Sequence, residues 1–450
     1  MKKRFVSLLL AAAMTATLFT GCGKTENSAG NTSQASTTSK VSEKKELTVW
    51  VEKIFSEDAN KKMQERIDAF AKETGTTVKC EFIAATDFMT KLNASIEAKN
   101  VPDITTGAVT KVLSYYPNLP YADVTDLVTE IGSKRAYFES MSEGTKIEGK
   151  NYFVPYTSSS TMMFVRKDIL KENGIEKIPE TWDEVFDVAK KVSNPDKGIY
   201  GLGMGCGPTD EDGENVFRMM MWDNGGSFFD KDGNVIASSN AKVKETIQKY
   251  VDLYKAGAIP PAATTWDPSG NNKSYLMGES AIVFNAPTLV NAMKSDEQYK
   301  DLYANTAVVA PPKGSAEDTV MGFATGWSIM KDSENVDTAK ELVRYLTDNA
   351  WYDEYVKMIA PVLAPVYKDC AEQDVWKDGV NKQVLDYASK ASGYYGYPVS
   401  TIKGRAIAAK NYFKFPAAGM LNSIIAGNTS VDDALKQLEA GIAETSSAIK

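Results

Sequence analysis

Apolar residues change period several times along the chain, and each change predicts an element. Leu47-Thr48-Val49-Trp50-Val51 is a β-type run. Over 59–74 the positions Met63, Ile67, Phe70 and Ala71 recur at helical spacing, and Gly75 ends the stretch as a helix C-cap. Residues 76–83 predict a second strand. Asp87 is then expected to cap a helix carrying Phe88, Leu92 and Ile96, and Pro102-Asp103-Ile104-Thr105 opens a third strand. Strands alternating with helices predict a mostly parallel sheet covered by helices.

The pattern continues beyond residue 150. Tyr152-Phe153-Val154-Pro155 and residues 161–165 read as strands. Thr181 is a helix N-cap, with Glu184 three positions on completing a capping box. Asp230-Lys231-Asp232-Gly233-Asn234 falls between Phe228-Phe229 and Val235-Ile236, which predicts a hairpin turn. Residues 241–254 form a helical pattern stopped at Gly257. Strands follow at 281–285, 307–310 and 323–330, then a helix over 336–346 and helical sequence from Lys403 onward.

The N-terminus departs from this pattern. Lys2, Lys3 and Arg4 precede an apolar stretch over 6–19, and Leu18-Phe19-Thr20-Gly21-Cys22 ends in small residues. Basic start, short apolar core and small-residue exit describe a secretory signal peptide over 1–21, too short to be a membrane span. Leu18 to Cys22 resembles the lipobox of bacterial lipoproteins. That resemblance implies lipidation of the Cys22 sulfur, cleavage before Cys22 and acylation of the new amino terminus. Two or more chains would hold the protein stably on the membrane. Residues 23–46 are Ser/Thr/Asn-rich and nearly free of apolar side chains, so they read as a tether with a reach of roughly 25–30 Å. Tethers of this kind resemble those of Gram-positive lipoproteins.

About 400 residues remain, more than one core usually holds, so two lobes are expected. The signal carries three basic and no acidic residues, which moves the net charge from −8 to −11 on maturation. That balance argues against a nucleic-acid partner. The chain has no histidine, which excludes Ser-His-Asp and Cys-His catalysis and every His-ligated metal site. With Cys22 lipidated, Cys80, Cys206 and Cys370 remain, an odd number without CxxC spacing, and each reads as an inert buried thiol, with a disulfide between two of them as the alternative.

Candidate chemistry is sparse. Paired carboxylates could serve a glycosidase, but no pair stands out. Asp210-Glu211-Asp212-Gly213-Glu214 and the 230–234 run suggest calcium, yet the second has Ala241 where a calcium loop needs Glu, and both read better as polar turns. Gly201-Leu202-Gly203-Met204-Gly205 lacks the Lys-Ser/Thr of a phosphate loop and reads as a strand edge. Trp50, Tyr156, Trp222, Trp266, Trp327, Tyr394, Tyr395 and Tyr397 fall at strand ends or in loops. Such aromatics stack on the C–H faces of sugars or pack in cores. No cofactor is implied.

Several segments fall in a familiar order. They are Gly149-Lys150-Asn151-Tyr152-Phe153-Val154-Pro155-Tyr156, Phe164-Val165-Arg166-Lys167-Asp168, Pro179-Glu180-Thr181-Trp182-Asp183-Glu184, Asn224-Gly225-Gly226, Met277-Gly278-Glu279-Ser280-Ala281-Ile282 and Gly326-Trp327-Ser328-Ile329. Together they resemble the type 1 extracellular solute-binding proteins, the maltose-binding-protein-like receptors of ABC importers. The resemblance implies an α/β fold of two lobes with the solute clamped in a cleft, a design that works by hinge closure. It places the N-terminal lobe at 47–157 plus 328–370 and the C-terminal lobe at 158–327 plus 371–450. Crossings fall near 156–160, near 323–328 and around Cys370.

By the same resemblance the pocket draws on Glu52, Lys53, Thr110, Lys111, Tyr156, Ser159, Asn215, Trp222, Asp223, Trp266, Asn285, Trp327, Tyr395 and Tyr397. Thr288 stands where maltose receptors carry a Trp, and Ser159 where they carry an acid, so a maltose-specific pocket is not implied. The expected protein is a monomeric, non-enzymatic, lipid-anchored receptor on the outer side of the cytoplasmic membrane. It would pass a mono- or oligosaccharide to ABC permease subunits. The rival readings are the same receptor for a polyamine, a phosphodiester or a peptide, and a surface enzyme acting on polysaccharide.

Overall fold

A computed structural model describes residues 46–54, 56–390, 396–447 and 449. The signal peptide, Cys22, the tether up to residue 45, and Tyr394 and Tyr395 lie outside the described residues.

Among the described residues, ten strands form two sheets. The first contains β1 (Glu46–Glu52), β2 (Thr77–Ile83), β3 (Ile104–Ala108) and β4 (Val154–Ser160). The second contains β5 (Met162–Arg166), β6 (Tyr200–Gly203), β7 (Ser280–Asn285) and β8 (Thr306–Val309). The chain then returns to the first sheet as β9 (Gly322–Ile329) and β10 (Ala364–Pro365). The strand orders are β10-β4-β9-β3-β1-β2 and β6-β7-β5-β8. β1 pairs in parallel with β2 and β3, and β6 with β7, whereas β9 runs antiparallel to β3 and β4. The sheets are therefore mixed rather than mostly parallel. The reason is connectivity: β9 comes back from the second sheet and must run opposite to the strands it rejoins.

Local sequence explains the covering helices. In the Glu57–Thr74 helix Ala59, Met63, Ile67 and Phe70 are buried, Ser56 caps the start by accepting from the Ala59 amide, and Gly75 closes it at φ 71°. Each larger apolar side chain so buried contributes roughly 1.5–3 kcal/mol. The next helix, Ala85–Glu97, starts two residues before Asp87. Asp87 is thus a first-turn acid favouring the helix dipole rather than the cap. The capping box forms as expected: Glu184 N donates to Thr181 Oγ1 at 3.3 Å, and Thr181 N donates to Glu184 Oε2 at 3.1 Å. The 230–234 run is a turn closed by Asp230, which accepts from the Asn234 amide at 2.9 Å.

Both faces of the second sheet are covered. Met163 and Val165 of β5 belong to a core with Trp182, Phe217 and Tyr250. Met162 and Phe164, on alternate positions, face the other way into a cluster with Tyr275, Leu289 and Met293. That cluster continues into the core of the first sheet around Val49, Ile67, Phe153 and Tyr352.

The chain passes between the sheets along two neighbouring strands. β4 runs into β5 with only Thr161 between them, and β9 begins at Gly322. The two are held together by Thr161 N donating to Met321 O at 3.1 Å and by pairing from Ser160↔Gly322 to Val154↔Trp327. Gly326 is required in this pairing, since a Cβ there would lie 1.8 Å from Val154 O. Cys370, Trp376, Val384 and Leu385 all sit in the first cluster, and the Gly379–Ala388 helix packs on β4 and β10. Val399, Ile407, Leu421 and Leu435 belong to the second. Cys80, Cys206 and Cys370 are free thiols.

Candidate functional site

A cavity of about 700 Å³ opens between the two sheets. It lies beyond the carboxyl ends of β1 and β3, where open α/β sheets place their ligands. The first sheet contributes Glu52, Thr106 and Ala108, and the short Val109–Leu113 helix contributes Thr110 and Lys111. The crossing strands contribute Ser159, Ser160, Thr161, Gly322, Phe323 and Thr325. From the far side come Glu211, Asp212 and Asn215 on the Glu211–Asp223 helix, with Arg405, Tyr412 and Phe413 at the Ile402–Tyr412 helix.

The walls are organised by hydrogen bonds. Glu52 is ion-paired with Lys111, and its backbone amide donates to Thr106 Oγ1 at 3.0 Å. The Tyr412 hydroxyl lies 2.7 Å from Glu211 Oε1 and 3.0 Å from Asn215 Oδ1. Asp212 Oδ2 accepts from Asn271 Nδ2 at 3.0 Å and from Asn285 Nδ2 at 3.3 Å. Asp210 caps the same helix, accepting from the Gly213 amide at 3.0 Å. Burial lifts the carboxyl of Asp212 to about 8 and that of Asp210 to about 7, and it raises Glu211 as well. Over the whole lining, four acidic side chains (Glu52, Glu143, Glu211, Asp212) meet four basic ones (Lys53, Lys111, Lys146, Arg405).

Of the residues expected at the pocket, Glu52, Lys53, Thr110, Lys111, Ser159 and Asn215 line this cavity. The other described ones are placed elsewhere. Tyr156 and Trp327 are buried together in the first core, ring centroids 5.6 Å apart, because β4 and β9 turn those positions away from the cleft. Trp222 is 1% exposed in the second core and meets Tyr397 edge-on at 5.8 Å. Asp223 accepts from Trp182 Nε1 at 2.8 Å and from the Thr319 amide at 2.7 Å, so it ties down the loop before β9; burial raises it to about 6. Asn285 stands behind the wall, holding Asp212. Trp266 borders a separate surface groove with Met277. Tyr395 lies outside the described residues.

Sequence reasoning missed Glu211, Asp212, Phe323, Arg405, Tyr412 and Phe413. The acidic run 210–214 reads as a turn from composition, whereas Asp210 is an N-cap and the next residues begin a helix aimed at the cavity. Tyr412 and Phe413 close a helix whose buried positions surround its axis, so no polar face marked them in the sequence.

Two α/β sheets joined by paired crossing strands, with a cavity walled from both sides, define a two-lobed binding protein of the solute-receptor class. The family model described as "Bacterial extracellular solute-binding protein" matches residues 65–383, and the chain belongs to that family. It is similar to the lactose-binding protein of Rhizobium radiobacter, at 25% identity over 69% of this chain and 72% of that protein. It is also similar to the diacetylchitobiose binding protein of Streptomyces coelicolor, at 25% identity over 66% and 68%. Among solved structures, the sugar transporter of Arthrobacter chlorophenolicus with bound laminaribiose shares the fold. Its TM-score is 0.76 at 18% identity, over 88% of this chain and 98% of that one.

Proposed function

We propose that the protein is the capture subunit of an ABC importer, taking a mono- or oligosaccharide into the cleft and delivering it to membrane permease subunits. One observation carries this reading: the cavity is lined by strands of the first sheet on one side and by helices beside the second sheet on the other, with hydroxyls, amides and balanced charge and the aromatic side chains of Phe323, Tyr412 and Phe413 among them. Sugars need that combination, since apolar C–H faces stack on rings while hydroxyls take directed hydrogen bonds. The volume falls within the ~300–1,000 Å³ range of small-molecule sites. Sugar-named relatives in the same family support the reading.

In this reading the two lobes close about the paired strands β4 and β9, and ligand favours closure only by its differential affinity for the closed state. The first lobe extends through the Gly379–Ala388 helix, and the second comprises β5–β8 with the chain from Val399 onward. Lipid on Cys22 and the tether keep the monomeric receptor near its permease and raise its effective concentration there. A thermal-shift screen over neutral mono- and oligosaccharides tests the function. A sugar that binds only the folded state raises the melting temperature. Silence from every sugar, or turnover of a glycan by the purified protein, refutes the reading. For the anchor, Cys22→Ser is expected to leave the membrane fraction and to bind ligand unchanged.

A further inference from the structure

We propose that a recess behind the first-sheet wall of the cleft, bordered by Trp327, takes the hydroxymethyl arm of a hexopyranose. The proposal deepens the sugar reading and rests on it for the rest of the ligand. The recess has a volume of about 60 Å³. Glu52, Ile54, Thr106, Thr325 and Leu363 line both it and the main cavity, so the two spaces share a wall. Behind that wall lie Val51 of β1, Phe82 of β2, Trp327 of β9 and Tyr355 of the Asn349–Ile359 helix. Trp327 offers the cleft no stacking face. What it brings to the recess is its indole N–H.

That donor is unmet. Trp327 is 4% exposed, and its buried Nε1 has no acceptor among the described residues. Buried donors are nearly always satisfied, because a bare one forfeits its hydration for nothing. Tyr156, its ring centroid 5.6 Å away, has its hydroxyl engaged by Trp351 Nε1 at 3.3 Å. An acceptor entering the recess meets the need. The walls around it are fixed. Ile54 N donates to Asn60 Oδ1 at 3.2 Å, and Asn60 Nδ2 donates to Ile54 O at 2.9 Å. Thr106 Oγ1 accepts from the Glu52 amide at 3.0 Å, which leaves the hydroxyl a proton and a second lone pair. Glu52 is the charged residue of the lining, and its carboxylate is paired with Lys111. A neutral guest therefore suits the recess.

Size selects the guest. A water occupies about 30 Å³ in the liquid, so the recess has room for about two non-hydrogen atoms. A CH2OH arm has two. Its oxygen accepts from Trp327 and donates to an oxygen of the shared wall, and its methylene lies among Ile54, Phe82 and Leu363. A pentopyranose lacks the arm, and a 6-deoxy sugar lacks the acceptor. A site built to bond a hydroxyl rejects the analogue without it, since its own polar group is then stranded.

The test is isothermal titration of the mature chain with matched series: D-glucose, 6-deoxy-D-glucose and D-xylose; D-galactose, D-fucose and L-arabinose; and the β-1,4 disaccharides of glucose and of xylose. The expected result is at least one series in which the hydroxymethyl sugar binds ten-fold or more tighter than its counterparts. Trp327→Phe keeps an apolar ring and removes the N–H, and Ile54→Phe fills the recess from its rim. Each should bring the ratio below about three with pentose affinity little changed, and circular dichroism verifies folding. Should one variant fail to fold, the other decides. A ratio below ten in every series that binds overturns the proposal and leaves the sugar reading standing. So does a preference above three in a folded variant, which would mean that water alone meets the indole. Silence from every sugar overturns both.

Discussion

The Glu211–Asp223 helix is anchored by an ion pair that no solvent reaches, and removing half of it should be severe. Arg218 donates from Nε and Nη2 to Glu214 Oε1, each at 2.7 Å, and the two side chains are 2% and 0% exposed. Glu214 Oε2 accepts from the Ala418 amide at 2.8 Å, which pins the neighbouring Pro416–Ile425 helix. In Arg218→Met the carboxylate keeps that single backbone donor and loses its counter-charge. Breaking a buried pair this way costs about 3–5 kcal/mol, or about two to three and a half decades in the folding equilibrium. Replacing both partners, Glu214→Leu with Arg218→Met, removes the stranded charge and should recover most of the loss. Urea unfolding followed by tryptophan fluorescence measures all three chains. A single variant within about 1 kcal/mol of the parent, or a double variant as unstable as the single, would refute the view that an uncompensated buried charge sets the cost.

Other expectations concern the cleft and its supports. Burial raises Asp212 from an unfolded value near ~3.9 to about 8, so the folded state binds that proton more tightly than the unfolded chain. The resulting stability is full below about pH 4 and declines as pH rises toward 8, so calorimetry should show a melting temperature that falls across this window and falls less in Asp212→Asn. Thr181→Ala should cost about 1 kcal/mol by removing the cap on the Glu184 amide, read as a lower denaturant midpoint with an unchanged slope. Tyr412→Ala should weaken ligand binding ten-fold or more, whereas Trp266→Ala, outside the cleft, should leave affinity within about two-fold; the reverse order in a titration would move the site.

Elements with a strong local signal were legible in the sequence. The Met63/Ile67/Phe70 stripe, the Gly75 stop and the Thr181–Glu184 box each depend on residues within one or two helical turns, and each forms as read. What failed was non-local. Trp222 and Trp327 resemble pocket aromatics because they neighbour Gly-rich segments, but the facing direction of a side chain depends on strand register and helix rotation, which a single sequence does not carry. The antiparallel return of β9 depends on a pairing with β3 more than 200 residues earlier in the chain. The same holds for Asp212, whose role arises from amides at 271 and 285.

The three thiols of the folded body have a practical consequence. Burial pushes Cys80 and Cys370 up to about 12 and Cys206 to about 11, so almost none of each is thiolate at neutral pH, the form that alkylating reagents attack. A Cys22→Ser chain is therefore a near-silent background for site-selective labelling. One engineered cysteine at the rim of each lobe could carry a fluorophore pair, and the chain would report its own opening and closing as a reagentless sensor for its ligand.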